Sequence, residues 1–354
     1  IRNVLVTLLV IFLFISGTVV GIGAYIVNSL QPTEPGEEVR FVIERGSHSS
    51  RIAENLEEQG LIRDATIFRF YLRFKGEGTR FQAGEYALHP GMELDEIIAK
   101  FNAGDIVREP VKRLTIPEGR TLEQITDALS QSGIIDRNVF RNLISDASLY
   151  SETLAAQIPA DRPYKHPLEG YIFPQTYEFP VSWTSEEIVV HMLEELERQL
   201  EQLPADWRQQ MNKLNLSFHD ILTVASLIER EVVVDAERPI VAGVIYNRLK
   251  QNYPLQIDAT VQYALDQPKE RLLHEDLEVD SPYNTYRNVG LPPGPIASPG
   301  LASIEAALYP EETTYMFYVT KKDGTSEHYF AETYEEHLDN IALSEKNAAS
   351  AAAD

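Results

Sequence analysis

The sequence predicts an α+β protein in three parts: an N-terminal apolar helix, two related small α+β modules, and a larger α+β domain. Three observations carry this. Residues 4–27 form an uncharged apolar run. A strand–turn–helix pattern occurs twice at a fixed offset of 73 residues. Residues 217–308 combine an apolar helix, polar loops and a dense Pro/Gly segment. The 354 residues suit two or three domains. A hydrophobic content of 44% and a charged content of 24% exclude whole-chain disorder. The absence of cysteine excludes a disulfide scaffold, a thiolate metal site, a Cys nucleophile and an acylated cysteine anchor. With 54 acidic against 31 basic side chains and a net charge of −23, no basic stripe is available for nucleic acid.

The apolar run reads VLVTLLVIFLFISGTVVGIGAYIV, and no charge falls between Arg2 and Glu34. As a helix, this run reaches about 36 Å, enough to cross a hydrocarbon core of about 30 Å with some tilt. A cleaved signal peptide has a shorter apolar stretch and a small-x-small site. Ala24-Tyr25-Ile26 is a poor one, so the reading is an uncleaved single-pass anchor. The sequence opens on Ile1 and not on Met, which leaves room for residues before it. Arg2 is the basic residue on that side and places the N-terminus in the cytoplasm. Residues 31–354 then lie outside the cytoplasmic membrane. Residues 31–38 (QPTEPGEE) contain no apolar side chain and read as a linker.

Residues 41–62 (FVIERGSHSSRIAENLEEQGLI) and 114–135 (LTIPEGRTLEQITDALSQSGII) align residue by residue. Phe41 matches Leu114, Gly46 matches Gly119, Leu56 matches Leu129 and Gly60 matches Gly133. Each copy has alternating apolar residues for a strand, a Gly turn, an amphipathic helix and a closing Gly. Ser47 or Ser49 and Thr121 are candidate N-caps, and Thr121 with Gln124 has capping-box spacing. AGEYAL (83–88) reads as a strand and 94–101 as a short helix. This strand–helix unit resembles a LysM-like module, a fold used to hold glycan chains; the plain alternative is an α+β spacer. Further on, residues 186–203 form an amphipathic helix with an acidic, solvated face.

The segment ILTVASLIEREVV (221–233), with Ser217 as its cap, places Ile221, Val224, Ala225, Ile228 and Val232 on one core-facing stripe. Glu229 has Leu222, Ala225, Ser226, Val232 and Val233 as its helical neighbours, and none is charged. A carboxyl on an apolar face loses hydration, which favours its neutral, proton-donating form. Two readings stand at this point: a catalytic acid, or a helix-end carboxylate paired with a nearby Arg. Asn247 and Arg248 end the next helix. Asp258 reads as an N-cap of the helix beginning at Ala259 or Thr260. S-P-Y-N-T-Y (281–286) offers aromatic rings with hydroxyl and amide groups, the mix a sugar site needs, though such loops are also common surface turns. V-G-L-P-P-G-P-I-A-S-P-G (289–300) is too Pro-rich for a central strand.

L-T-V-A-S-L-I-E-R-E (222–231), Y-N-R-L (246–249), L-Q-I-D-A-T-V-Q-Y-A (255–264), S-P-Y-N-T-Y (281–286) and G-L-P-P-G-P-I-A-S-P-G (290–300) occur in that order. Together with Y-M-F-Y-V (315–319), they resemble the endolytic murein transglycosylase (MltG, YceG-like) family over the whole chain. One departure is Ile257-Asp258-Ala259-Thr260-Val261, where the family pattern is Thr-Asp-Pro-Thr-Val. The resemblance implies an anchor over 1–30, a linker over 31–38, and a LysM-like region over 39–160 with modules at 41–74 and 114–144. It further implies a catalytic domain over 161–346 and a disordered tail over 347–354.

It implies a membrane-anchored lyase that cuts the β-1,4 bond between N-acetylmuramic acid (MurNAc) and N-acetylglucosamine (GlcNAc) in nascent peptidoglycan, leaving 1,6-anhydro ends. The substrate's own 6-hydroxyl attacks, so one carboxyl, Glu229, can serve as acid and then base. Asn247, Gln256, Asp258, Tyr283, Asn284 and Thr285 are the expected substrate contacts. No cofactor or metal is expected. Partners would be glycan strands, the plasma membrane and cell-wall synthases such as penicillin-binding proteins. The rival readings are a hydrolytic muramidase using a water held by Asp258, and a non-catalytic glycan-binding scaffold.

Overall fold

The computed structural model describes residues 2–107, 109–265 and 269–351. It divides into two compact units, 1–109 and 110–354. Helices dominate, and among the described residues three sheets have two antiparallel strands each.

The first unit begins with helix α1 (Arg2–Ser29). Its stretch Ile11–Ser29 has a mean hydropathy of 1.9, long and apolar enough to cross a membrane. Strand β1 (Val39–Ile43), helices α2 (Ser49–Glu58) and α3 (Ala65–Lys75), strand β2 (Gly84–Leu88) and helix α4 (Leu94–Ala103) follow. β1 and β2 pair antiparallel, with Phe41 opposite Tyr86. Phe41, Leu56, Phe68, Leu72, Tyr86 and Phe101 fill a core of their own. Residues 31–38, read as a linker, make hydrogen bonds to this unit. Arg63 donates to the carbonyls of Gln31 and Pro32, and the Gly91 N–H donates to Thr33 Oγ1 at 2.9 Å. Backbone carbonyls without secondary structure need partners, and a guanidinium can serve two at once.

The second unit opens with strand β3 (Val111–Thr115), helix α5 (Leu122–Gln131) and helix α6 (Arg137–Ile144). Strand β4 (Thr176–Pro180) returns to pair antiparallel with β3. Both repeat copies are therefore β-α-α-β units, and α2 maps onto α5 at the offset of 73. Gly60 and Gly133 follow these helices with φ of 71° and 65°. The Leu61 and Ile134 N–H groups then reach back to the carbonyls of Leu56 and Leu129. Thr121 forms the expected capping box with Gln124. In the first copy the cap falls on His48, whose side chain makes no capping bond, and neither Ser47 nor Ser49 takes the role.

Next come α7 (Ser185–Leu200), α8 (Trp207–Leu214), α9 (Phe218–Glu231), α10 (Arg238–Lys250), α11 (Asp258–Ala264) and α12 (Leu301–Leu308). A hairpin of β5 (Phe317–Thr320) and β6 (His328–Ala331) and helix α13 (Tyr334–Ala351) complete the unit. One core runs through it: Ile116, Leu122 and Leu129 of the second repeat join Ile221, Leu222, Val224 and Ile228 of α9. The second copy is thus part of the larger unit, whereas the resemblance implied a boundary after residue 160. Along α7, Glu195 departs from the expected solvated acidic face. It is buried and accepts from Arg198 and Gln199. The 347–354 segment, read as a disordered tail, is helical through Ala351, and residues 352–354 lie outside the described residues.

Candidate functional site

Ser217 caps α9 in a capping box with Asp220, so the helix starts where the sequence places it. Ile221, Leu222, Val224, Ala225, Leu227 and Ile228 are fully buried. This buried helix is stitched to the stiff 290–300 loop along one face. His219 Nε2 lies 3.0 Å from the Pro293 carbonyl. Ser226 Oγ accepts from the Ile296 N–H at 3.0 Å, and Glu229 Oε2 accepts from the Gly300 N–H at 3.0 Å. Positions 219, 226 and 229 share a helical face, so an irregular loop satisfies its polar groups on one row of side chains. Burial lowers the His219 imidazole below its ordinary value. Pro293 can only accept, so the ring donates from Nε2 and receives the Tyr171 hydroxyl at Nδ1, 3.0 Å away.

Glu229 is not the solitary acid its helix neighbours suggest. Arg238, at the start of α10, places Nη1 3.4 Å from Oε2. Ser303 Oγ donates to the same oxygen at 2.8 Å and itself receives Arg238 Nη1. Oε2 therefore faces three donors and can act only as an acceptor. Oε1 has no hydrogen-bond partner among the described residues. The side chain keeps 7% of its surface exposed, so it is tucked in but not sealed. The helix-end pairing with an Arg is present, together with an oxygen left for other work.

A second carboxyl stands beside it, and the sequence reading missed it. Glu118 sits in the P-E-G turn after β3. The Gly119 N–H donates to the Ser298 carbonyl, and the Ser298 N–H donates to the Arg120 carbonyl, both at 2.9 Å. Arg230 Nη1 clamps the Gly119 carbonyl at 2.9 Å. This lays Glu118 against Gly300, where an added Cβ would stand 1.9 Å from Glu118 Oε1. Partial desolvation, and next the negative charge of Glu229, raise the carboxyl of the exposed Glu118 above its ordinary value; Arg238 opposes them. The available signal was the departure between repeats: Ile116-Pro117-Glu118-Gly119 stands where the first copy has Ile43-Glu44-Arg45-Gly46.

The other expected contacts fall elsewhere. Asn284 and Thr285 are 0% and 1% exposed, and Tyr283 is 2%. Asn284 Nδ2 donates to the carbonyls of Leu277 and Val279. Thr285 Oγ1 accepts the Ile257 N–H and lies 2.9 Å from Thr260 Oγ1. Asn247 Nδ2 holds the carbonyls of Thr313 and Tyr315. Asn247, Asn284 and Thr285 brace loops through these bonds, and the buried Tyr283 hydroxyl has no hydrogen-bond partner among the described residues. Gln256 and Asp258 remain exposed. Asp258 does not cap α11; Ile257 occupies the cap and Asp258 is the first helical residue. Its Oδ1 accepts the Tyr286 hydroxyl at 2.6 Å.

A cavity of about 620 Å³ opens next to this region, lined in part by Thr121, Gln124, Lys165, His166, Glu169, Arg230 and Tyr263. Arg230 connects it to the Glu118 turn, while neither Glu118 nor Glu229 lines it. Burial pushes the Glu169 carboxyl up to about 8, although the Leu122 N–H and the Tyr263 hydroxyl both donate to it.

The sequence pattern of the YceG-like family matches residues 41–343. The chain belongs to the YceG-like family. It is 40% identical to an endolytic murein transglycosylase of Bacillus subtilis over 322 residues, 87% of this chain and 86% of that protein. It is 33% identical to an endolytic murein transglycosylase of Streptococcus pneumoniae over 341 residues, 90% of this chain and 61% of that longer protein. A crystal structure of a YceG-like protein from Listeria monocytogenes superposes with a TM-score of 0.58 at 38% identity, over 86% of this chain and 99% of that one. The family match begins at Phe41, in β1, and so takes in both repeat copies along with the helix bearing Glu229.

Proposed function

We propose that this chain is a peptidoglycan lytic transglycosylase that cuts within glycan strands. It breaks the MurNAc–GlcNAc β-1,4 bond and leaves 1,6-anhydroMurNAc ends, with Glu229 as the carboxyl that exchanges protons with substrate. The observation that carries the assignment is the way Glu229 is held. Arg238, Ser303 and the Gly300 N–H fix one oxygen and leave the other free. A carboxyl fixed by three donors keeps its free oxygen in one direction, which is what transfer to a reacting atom requires. The naming of relatives at 40% and 33% identity agrees with this reading.

In the simplest form of the reaction, protonated Glu229 donates to the leaving GlcNAc oxygen as the bond to C1 breaks. The resulting carboxylate then takes the proton of the muramoyl 6-hydroxyl as O6 bonds to C1. No water is consumed, and an oriented second acid for water is not required, unlike in the usual glycosidase pair. A hydrolytic role for Asp258 is less well supported, because the Tyr286 hydroxyl already occupies its Oδ1.

The apolar α1 fits an uncleaved anchor in the plasma membrane, with a cytoplasmic N-terminus and the two units outside. The pinned 31–38 segment would then hold the first unit close to the bilayer. Nascent strands, still attached to membrane lipid, are the substrate such an anchor favours. The β-α-α-β copies fit LysM-like modules, with the first free to bind glycan. Cell-wall synthases are the partners this placement suggests.

Glu229→Gln keeps the shape and removes the acid. Digestion of isolated glycan strands, followed by mass analysis of the ends, tests the reading. Wild type should give ends one water lighter than reducing ends, and the variant should lose on the order of 10²- to 10⁴-fold in rate. Cleavage by the variant near the wild-type rate would remove Glu229 from the mechanism.

A further inference from the structure

The Glu118 turn and the Glu229 helix end meet at one residue. Gly300 donates its N–H to Glu229 Oε2 at 3.0 Å, and the space its missing side chain would fill is taken by Glu118 Oε1. One residue's N–Cα–Cβ span thus separates the two carboxyls, an upper limit of about 7.5 Å with standard backbone dimensions. That limit keeps the two carboxyls no farther apart than the pairs that flank a glycosidic bond in other enzymes. Glu118 is exposed and makes no hydrogen bond or ion pair among the described residues, so nothing in the protein occupies it. Its own loop, in contrast, is fixed at three points by Ser298 and Arg230. A surface glutamate without partners on a triply fixed turn, aimed at the glycine beside a clamped acid, has no structural task that the turn needs. The charged groups facing it are Glu229 from α9, Asp235 from the turn before α10, and Arg238 from α10.

We propose that Glu118 is the second catalytic carboxyl of this site, protonating the leaving glycosidic oxygen while Glu229 takes the proton of the muramoyl 6-hydroxyl. This rests on the transglycosylase reading and divides between two residues the duty that reading gives to one. The C1–oxygen bond breaks with its electron pair on the GlcNAc oxygen, which receives the Glu118 proton. The muramoyl O6 gives an electron pair to C1, closing the anhydro ring, and its proton passes to Glu229 Oε1. The site begins with its proton on Glu118 and ends with it on Glu229. Return of that proton across the pair resets the site. The arrangement agrees with the donors around Glu229, all of which suit a carboxylate. Partial desolvation, and next the Glu229 charge, favour the protonated form of Glu118 that this role needs.

The test uses the full chain in detergent micelles with isolated glycan strands, comparing wild type, Glu118→Gln, Glu118→Asp and Glu229→Gln. Glu118→Gln should lower kcat by ~100-fold with anhydro ends retained. It should also remove the decline of kcat/KM at high pH, because that decline reports the acid losing its proton. Glu118→Asp should restore part of the rate. Unfolding temperatures should match wild type, since the side chain holds nothing. Gly300→Ala provides a second handle: its Cβ displaces the Glu118 carboxyl without deleting it. It should slow wild type and add little in the Glu118→Gln background. A Glu118→Gln rate within roughly twofold of wild type, an unchanged pH profile, or fully additive Gly300→Ala losses would overturn the proposal. If wild type itself gives only reducing ends, the transglycosylase reading has failed, which is visible before any variant is compared.

Discussion

The two β-α-α-β copies show what one motif does alone and what it does when absorbed. At Gly46 of the first copy, an added Cβ would meet nothing within 4 Å. At Gly119, the matching turn, it would meet Arg230 at 3.8 Å and Glu229 at 3.9 Å. Both glycines have positive φ, 81° and 72°, so the turn is the same and the surroundings differ. The first copy closes its own core with β2 and α4. The second leaves its core open to α9 and inserts residues 145–175, including Glu169 and Tyr171, before β4 closes the sheet. Beside the turn glycine, the free copy carries Arg45 and the absorbed copy Glu118. A module that binds by its surface needs only to be intact. One fused to a reacting centre can also contribute a side chain to it.

The largest effects should come from the matched leucines Leu56 and Leu129, both 0% exposed. Truncating either to Ala should cost about 2–5 kcal/mol of the unit it belongs to. Leu129→Ala should lower the unfolding temperature of the second unit and the cleavage of soluble strands together. Leu56→Ala should destabilise the first unit and leave that cleavage unchanged. Equal loss of cleavage in both would dissolve the distinction between the copies. Next come the turn residues. The ~100-fold loss expected for Glu118→Gln, about 2.7 kcal/mol of barrier, should have no counterpart in Arg45→Gln, which digestion of the same strands would check.

A third contrast is one of pH. Glu169 is raised to about 8 by burial, so in the folded unit it keeps a proton that the unfolded chain releases near 4.5. Between those values the native state binds more protons, and stability falls as pH rises. The unfolding temperature of the second unit should therefore fall from about pH 5 to pH 8, and Glu169→Gln should flatten the trend. A trend that survives the substitution would assign it to another group. The smallest effect concerns the caps. Thr121→Ala should cost about 1 kcal/mol, whereas His48→Thr, at the matching uncapped position, should stabilise the first copy by a similar or smaller amount. Denaturant melts of the two variants would measure both.

The repeat, its turn glycines and the capped start of α9 were legible, because periodicity and cap chemistry are local. β4 was not, since a five-residue strand pairing across a long insertion leaves no local trace. The site was read in part. Asn284 and Thr285 carry groups a sugar cleft needs, yet the same groups brace a buried loop, and composition does not separate the two uses. Arg238 and Glu118 reach Glu229 only through tertiary packing. The charge-free neighbourhood inferred along one helix was correct for that helix and incomplete for the site.

The central claim is that a clamped Glu229 carries out water-free cleavage. Mass analysis of the strand ends released by wild type and Glu229→Gln tests it most directly. The account predicts ends one water lighter than reducing ends from wild type, and almost none from the variant despite an unchanged fold. Reducing ends from wild type, or anhydro ends at an undiminished rate from the variant, would contradict it.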